Sequence, residues 1–217
     1  MKEYVIDAKN MAEKDLNRTI KEQAIYHDKL IIKNPDSCHN LCAGLTDDVE
    51  IEIEGSAGYF VGTMVNGPKI HVDGNSGWFA GDNMTEGELI IEGAAGDGAG
   101  QGIYGGTVLV KGSAGSRTGE IMKGGTVIIG GNSGFMTGLL MMGGKIIILG
   151  DVTDDVGESI MRGTIYVLGN VKSLGKNAVM EKTNLEDQKE LKEILTKYGF
   201  ELTDIEYTNF KKIVNIK

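Results

Sequence analysis

Proline and cysteine are scarce in this sequence, two of each in 217 residues, and aromatic side chains make up only 6%. Two prolines exclude a collagen-like chain in spite of 33 glycines, and a 41% apolar content excludes a flexible linker. Cys38 and Cys42 are too few for a disulfide framework, and the short spacing between them leaves little room for an unstrained bridge. A reducing, cytoplasmic setting is the expectation. No run of about 18 apolar residues occurs, and the start MKEYVIDAKNMAEKDLNRTI lacks an apolar core behind a basic end, so neither a membrane span nor a signal sequence is expected. Positive charge is also short. Twenty-two Lys and Arg against 31 Asp and Glu give a net charge of −9, which repels nucleic acid and anionic membranes, and no basic patch offsets it. G-x-S-x-G, Walker and H-E-x-x-H signatures are missing, and with three histidines the acid–base machinery is thin.

What the chain has in excess is glycine, placed with a period of 19. Gly55, Gly74, Gly93, Gly112, Gly131, Gly150 and Gly169 form one unbroken column. A second holds Gly58, Gly77, Gly96, Gly115 and Gly134, and a third Gly62, Gly81, Gly100, Gly119, Gly138 and Gly157. Gly87, Gly106, Gly125, Gly144 and Gly163 complete a fourth, so 23 of the 33 glycines are periodic. Between them stand apolar pairs with period two: Ile51/Ile53, Ile70/Val72, Leu89/Ile91, Val108/Val110, Val127/Ile129, Ile146/Ile148 and Ile165/Val167. Alternation marks strands, not helices. Val65, Met84, Ile103, Met122, Met141 and Ile160 add a second apolar column, and Val61, Ala80, Ala99, Thr118, Thr137 and Val156 a small or branched one four residues earlier.

One strand every 19 residues with glycine corners predicts an all-β solenoid, a single-stranded right-handed parallel β-helix of about seven coils. Equivalent residues would stack about 4.8 Å apart, with two or three sheets making the walls. The β-helix is expected over 30–175, with a degraded first coil in LIIKNPDSCHNLCAG that places Leu30 and Ile32 in a strand. Residues 1–29 form an N-terminal helical cap segment, its helix over about 11–24 burying Leu16, Ile20 and Ala24. In 176–217 a helix is expected behind a Thr183/Glu186 capping box, with Leu185, Leu191, Ile194, Leu195 and Tyr198 on one face and Gly199 ending it. The tail from Ile205 reads as strand-like or extended.

Four features invite a chemical reading. Gly100, Gly102 and Gly105 match G-x-G-x-x-G, but the strand Thr107–Val110 follows where a nucleotide site needs a helix, so the match is structural. Cys38, His39 and Cys42 are weak metal candidates beside an ordinary reduced-thiol turn, because no second ligand pair exists. Glu54, Asp73 and Glu92 share a register, with Lys111 next: a solvated corner, a cation site, or the acidic ladder of an independent carbohydrate-active β-helix enzyme. The outward series Glu52, His71, Ile90, Leu109, Ile128, Ile147, Tyr166 loses its polarity after two coils, and a neighbouring outward series ends in Leu149 and Leu168. Such a stripe needs a cover, either the C-terminal helix and tail or another subunit, a second copy included. The aromatics Tyr59/Phe60 and Trp78/Phe79 repeat one coil apart, as packing or as a partner contact.

The repeat G-x-x-G-x-x-x-G over 51–169 resembles the GXGXG domain family, which includes the C-terminal β-helix of the glutamate synthase large subunit and the β-helix subunit of formylmethanofuran dehydrogenase. The flanks NPDSCHNLCAGL, GESIMRGTIYVLGNVKSLG and KKIVNIK look most like the stand-alone β-helix subunit of split glutamate-synthase-type enzymes, N-methylglutamate synthase among them. The resemblance implies a noncatalytic scaffold in nitrogen metabolism that holds an amidotransferase-like subunit and an FMN and iron–sulfur subunit, the cofactors lying on that partner. It transfers no catalytic residue to this chain, and the motif glycines carry over as fold-forming only. The alternative within the family is the β-helix subunit of a formylmethanofuran dehydrogenase-type complex.

Overall fold

The strands follow the apolar pairs. In the computed structural model, which describes residues 2–216, the elements are β1 (Glu3–Asp7), α1 (Glu13–Ala24), β2 (Lys29–Lys33), β3 (Glu50–Glu54), β4 (Asn66–Val72), β5 (Glu86–Ile91), β6 (Thr107–Val110), β7 (Thr126–Ile129), β8 (Lys145–Ile148), β9 (Thr164–Val167), β10 (Ala178–Lys182), α2 (Leu185–Lys197), α3 (Asp204–Asn209) and β11 (Lys211–Asn215). They build one 11-stranded sheet in the order β1-β2-β3-β4-β5-β6-β7-β8-β9-β11-β10. From β1 to β9 every pairing is parallel, and from β3 onward Ile51, Ile70, Leu89, Val108, Val127, Ile146 and Ile165 form a single inward ladder. The chain is a parallel β-solenoid of about seven turns.

The expected second and third sheets are replaced by a wall of turns that carries only single bridges such as Ser76–Ala95–Ala114 and Ser133–Val152–Val171. The cause is local. Phe60 (φ 61°), Gly62 (φ 66°) and Met64 (φ 55°) are all left-handed within five residues, and three such residues break any extended run. The same conformation returns each coil at Phe79, Gly81 and Asn83, then at Arg117, Gly119 and Ile121. Between sheet and turn wall the core is filled by Met84, Ile103, Met122, Met141 and Ile160, none more than 1% exposed, each contributing about 1.5–3 kcal/mol by burial. Glycine serves this packing in two ways. Gly119 has φ +66°, and a Cβ there would lie 2.4 Å from Ile146 Cδ1. Gly112 has no such backbone demand, but a Cβ would meet the Gly93 carbonyl of the preceding coil at 2.7 Å.

The sheet extends into both flanks. The sequence marks only a helix ahead of the solenoid, yet β1 precedes α1 and pairs parallel with β2, so the segment is a strand–helix–strand crossover. Only Ile6 of β1 is buried, which is why EYVID gives no alternation strong enough to mark it. α1 closes the end of the core with Leu16, Ile20 and Ala24 as expected. At the other end, the tail is helix then strand rather than extended throughout. β11 runs antiparallel between β9 and β10, pairing Lys212 with Tyr166 on one side and with Glu181 on the other.

Candidate interaction surfaces

The cap on the outward face is supplied by the chain itself. Leu109, Ile128, Ile147 and Tyr166 are buried against Leu191 and Leu195 of α2 and against Tyr207 and Phe210, with Ile90, Leu149 and Leu168 packed at the margin. The helix starts one residue later than the Thr183/Glu186 box predicts. Asn184 is the N-cap and accepts from the Asp187 amide at 2.9 Å, while Asp187 Oδ2 accepts from the Asn184 amide at 2.9 Å. The shift puts Leu185 off the packed face, where it is 84% exposed. It also places Asp187 where Tyr166 Oη donates to it at 2.7 Å and Lys212 Nζ at 2.8 and 3.0 Å. Burial opposes ionisation of Asp187, but the Asn184 amide, Lys212 and Tyr166 outweigh it and hold the carboxyl below its usual range. Burial and the Asp187 carboxylate push the Tyr166 phenol up. At the far end of α2, Lys197 and Tyr198 both donate to Glu88 of β5, with Tyr198 Oη at 2.9 Å. Lys145 of β8 pairs with Glu190 at 2.8 Å. The helix therefore crosses the sheet from β9 back to β5.

The half of this face that α2 leaves open is charged and largely self-paired. Lys33 meets Glu54 at 3.5 Å, Lys29 meets Glu52 at 2.5 Å, and His71 lies 3.2 Å from Asp73 and 2.6 Å from Glu92, which also holds Lys111 at 2.7 Å. The acidic ladder Glu54, Asp73, Glu92 is thus a row of partnered carboxylates, Glu54 with Lys33, Asp73 with His71 and Glu92 with His71 and Lys111, and Glu92 is held below its usual range chiefly by Lys111. Where α2 ends, a groove of about 210 Å³ is lined by Lys29, Glu52, Lys69, His71, Glu88 and Ile90.

Cys38, His39 and Cys42 fall into the repeat columns of the first coil. The Cys38 carbonyl accepts from the Gly58 amide as Gly58 accepts from Gly77, and the Leu41 carbonyl accepts from Gly62 as Val61 accepts from Gly81, so Cys38 and Cys42 occupy glycine positions. Cys42 is left-handed (φ 62°) and fully buried, which pushes its thiol up to about 12. His39 stacks on Tyr59 at 4.5 Å and accepts the Tyr59 amide on Nδ1 at 2.9 Å. Tyr59 in turn stacks on Trp78 at 4.9 Å, and Phe60 on Phe79 at 5.0 Å. Repetition brings the three residues to separate stacks and does not converge them. Among the described residues no group of three or more His, Cys, Asp or Glu is arranged to hold a metal ion. Gly100, Gly102 and Gly105 lie in turns ahead of β6.

Sequence reasoning missed two polar features. One is the Asp187–Lys212–Tyr166 cluster, for which the D at the third position after Asn184 was the available sign. The other is a ladder on the turn wall in which each side chain accepts the backbone N–H one coil on: Ser56 from Asn75, Asn75 from Ala94, Ser113 from Asn132, Asn132 from Asp151 and Asp151 from Asn170 at 2.6–3.0 Å. Its period of 19 in Ser, Asn and Asp was readable. A cleft of about 790 Å³ lies at the α1 end between Asp7, Lys9, Asn34, Asp36 and Cys38. Asp7 there is tied by Asn34 Nδ2 at 2.8 Å and the Lys9 amide at 3.0 Å, and these bonds hold its carboxyl below the usual range.

A glycine-cornered parallel β-solenoid whose outward face is covered by its own C-terminal helices defines the class of fold. Within that class, the GXGXG motif model matches residues 7–215, and the chain belongs to the GXGXG family. A chain of the formyltransferase/hydrolase complex from Methylorubrum extorquens, solved by X-ray crystallography in complex with methylofuran, superposes with a TM-score of 0.72. It is 25% identical over 89% of this chain and 83% of its own. A search of curated proteins returns no match. No described helix is long and apolar enough to cross a membrane.

Proposed function

We propose that this chain is a noncatalytic scaffold subunit of a multi-subunit enzyme complex of the formyltransferase/hydrolase kind. The observation that carries this is the likeness over nearly the whole of both chains to a component of such a complex. It agrees with what the chain offers physically. A solenoid whose turns are tied by in-register ladders is stiff along its axis, and its walls give long surfaces on which catalytic subunits can be held at fixed spacing. Of the buried polar side chains, Asp187 locks the lid and Thr63, Ser133 and Thr137 bond within the turn wall, and the charged groups on the open sheet face are paired with one another.

The flanking segments NPDSCHNLCAGL and KKIVNIK favour a second reading, the β-helix subunit of a split glutamate-synthase-type enzyme, with FMN and an iron–sulfur cluster on its partner and an amidotransferase-like subunit alongside. Affinity purification of the tagged chain from its own host, with partners identified by mass spectrometry and stoichiometry by native mass, separates the two. Formyltransferase and hydrolase chains are the expected result. Flavin and iron–sulfur subunits would give the second reading, and recovery of the chain without stoichiometric partners would overturn both.

A further inference from the structure

Among the described residues the sheet ends at β1, whose outer edge pairs with no other strand. The Lys29 amide donates to the Lys2 carbonyl at 3.3 Å and the Ala8 amide to the Lys33 carbonyl at 2.9 Å. In a parallel pair alternate residues face the neighbour, so the even-numbered residues of β1 face β2, and Glu3, Val5 and Asp7 turn their amides and carbonyls to the free side. Val5 is 51% exposed, and Ile25 and Tyr26, each 65% exposed, stand beside this end, where His27 meets the Tyr4 ring at 4.9 Å. An edge of this kind is a template for another strand.

Charge says which strand. On the outward face the column Glu3, Lys29, Glu50, Lys69, Glu88 changes sign at every step, and the column Asp7, Lys33, Glu54 alternates from the edge as far as Glu54, where the acidic ladder begins. Between them Val5 sits beside Ile31. The next strand continues this order if it carries a cation opposite Glu3, an apolar residue opposite Val5 and a cation opposite Asp7. β2, with the sequence KLIIK, has that pattern. A second copy does not. Two β1 strands related by a twofold axis at Val5 set Glu3 against Asp7 twice, and β10 paired through Val179 sets Glu181 against one of the two carboxylates.

We propose that the free edge of β1 takes an extended segment of a different protein chain, one with Lys or Arg at two positions four residues apart and an apolar residue midway. This rests on the scaffold reading, to which it adds a place and a chemistry for one partner contact. The probe is a fluorescein-labelled peptide carrying KLIIK between polar flanks, with ELIIE in the same flanks as control, titrated by anisotropy against the full chain. The KLIIK peptide is expected to bind and the control to bind at least about tenfold more weakly. Val5→Pro removes an edge-facing N–H and leaves the bonds to β2, and it is expected to weaken KLIIK binding by about tenfold or more with no loss of thermal stability. Glu3→Lys, which keeps the backbone intact, should erase the preference for the basic peptide. Absence of KLIIK binding, equal binding of both peptides, or indifference to Val5→Pro overturns the proposal, as does a homodimer that Val5→Pro dissolves. Capture from the host keeps the two readings apart. If the Val5→Pro chain recovers the same subunits in the same ratio as the parent, the edge is not the contact and the scaffold reading stands. If neither chain recovers subunits, the scaffold reading falls.

Discussion

Removing the Asp187 carboxylate unlocks the lid. The side chain accepts from the Asn184 amide, Tyr166 Oη and Lys212 Nζ, and it is 9% exposed against 19% for Lys212. Asp187→Ala leaves an ammonium and a phenol without their partner in a mostly dry setting and halves the capping box. Breaking a buried pair costs about 3–5 kcal/mol, and the residual exposure of Lys212 places this case near about 3. For a chain of this length that lowers the melting temperature by about 6–12 °C. Lys212→Met should cost a similar amount and the double variant less than the sum, because each single change strands the other group. The loss is local at first. α2, α3 and β11 should lose hydrogen-exchange protection ahead of β2–β5, with dye-binding apolar surface appearing as Leu109, Ile128 and Ile147 are uncovered. The pH dependence has a definite sign. The folded carboxyl is held below its ordinary range, so its stabilisation is complete above about pH 4 and is lost as pH falls through the folded value. The gap between parent and Asp187→Ala should therefore narrow as the solution is acidified through the folded value. A variant that melts with the parent at neutral pH, or a gap that persists unchanged in acid, refutes the assignment of the lid to this cluster.

Gly119→Ala combines left-handed strain of about 1–2 kcal/mol with a Cβ 2.4 Å from Ile146 Cδ1, whereas Gly199→Ala meets nothing within 4 Å at φ +79°; chemical denaturation should show the first to cost clearly more. Cys38 should react with a thiol reagent in the folded protein and Cys42 only on unfolding, since Cys42 is fully buried with its thiol near 12; simultaneous labelling of both under native conditions would contradict the packing. Deleting one whole coil, residues 112–130, keeps the glycine phase but moves Lys69 to where Glu88 meets Lys197. Lys69→Glu should then stabilise the shortened chain by about 0.5–1 kcal/mol, and equal effects of that change in the full-length and shortened chains would refute the register.

The regular part of the fold was legible because 19-residue periodicity superposes weak signals. Each apolar pair alone is ambiguous, but seven in register admit one arrangement, and the corner glycines repeat with them. What escaped was whatever occurs once. β1 has a single buried residue, Ile6. β10 has none, and β11 buries only Ile213, so neither shows the alternation that marks the coils. The Thr183/Glu186 box is a valid pattern that lost to Asn184/Asp187 one residue later, because only that register lets Asp187 reach Tyr166 and Lys212. Cys38, His39 and Cys42 looked like a cluster because the degraded first coil hides their columns. Once Leu41 is aligned with Val61, each has an ordinary place in the repeat.

The lid itself was written in the outward column, and geometry explains where its polarity changes. Asp187 sits over Tyr166 of β9 and Tyr198 over Glu88 of β5, four strand spacings apart, or about 19 Å. The 11 helical steps between those two residues rise about 16 Å, and the reach of the side chains closes the difference. A helix of this length covers the positions from Ile90 to Tyr166, and those are apolar or aromatic. It falls short of Glu52 and His71, which are charged or titratable and meet water and their cross-strand partners instead. The two polar coils at the start of the series are therefore the part of the sheet that α2 is too short to reach, and the length of α2 and the point at which the column turns apolar are one constraint seen in two places in the sequence.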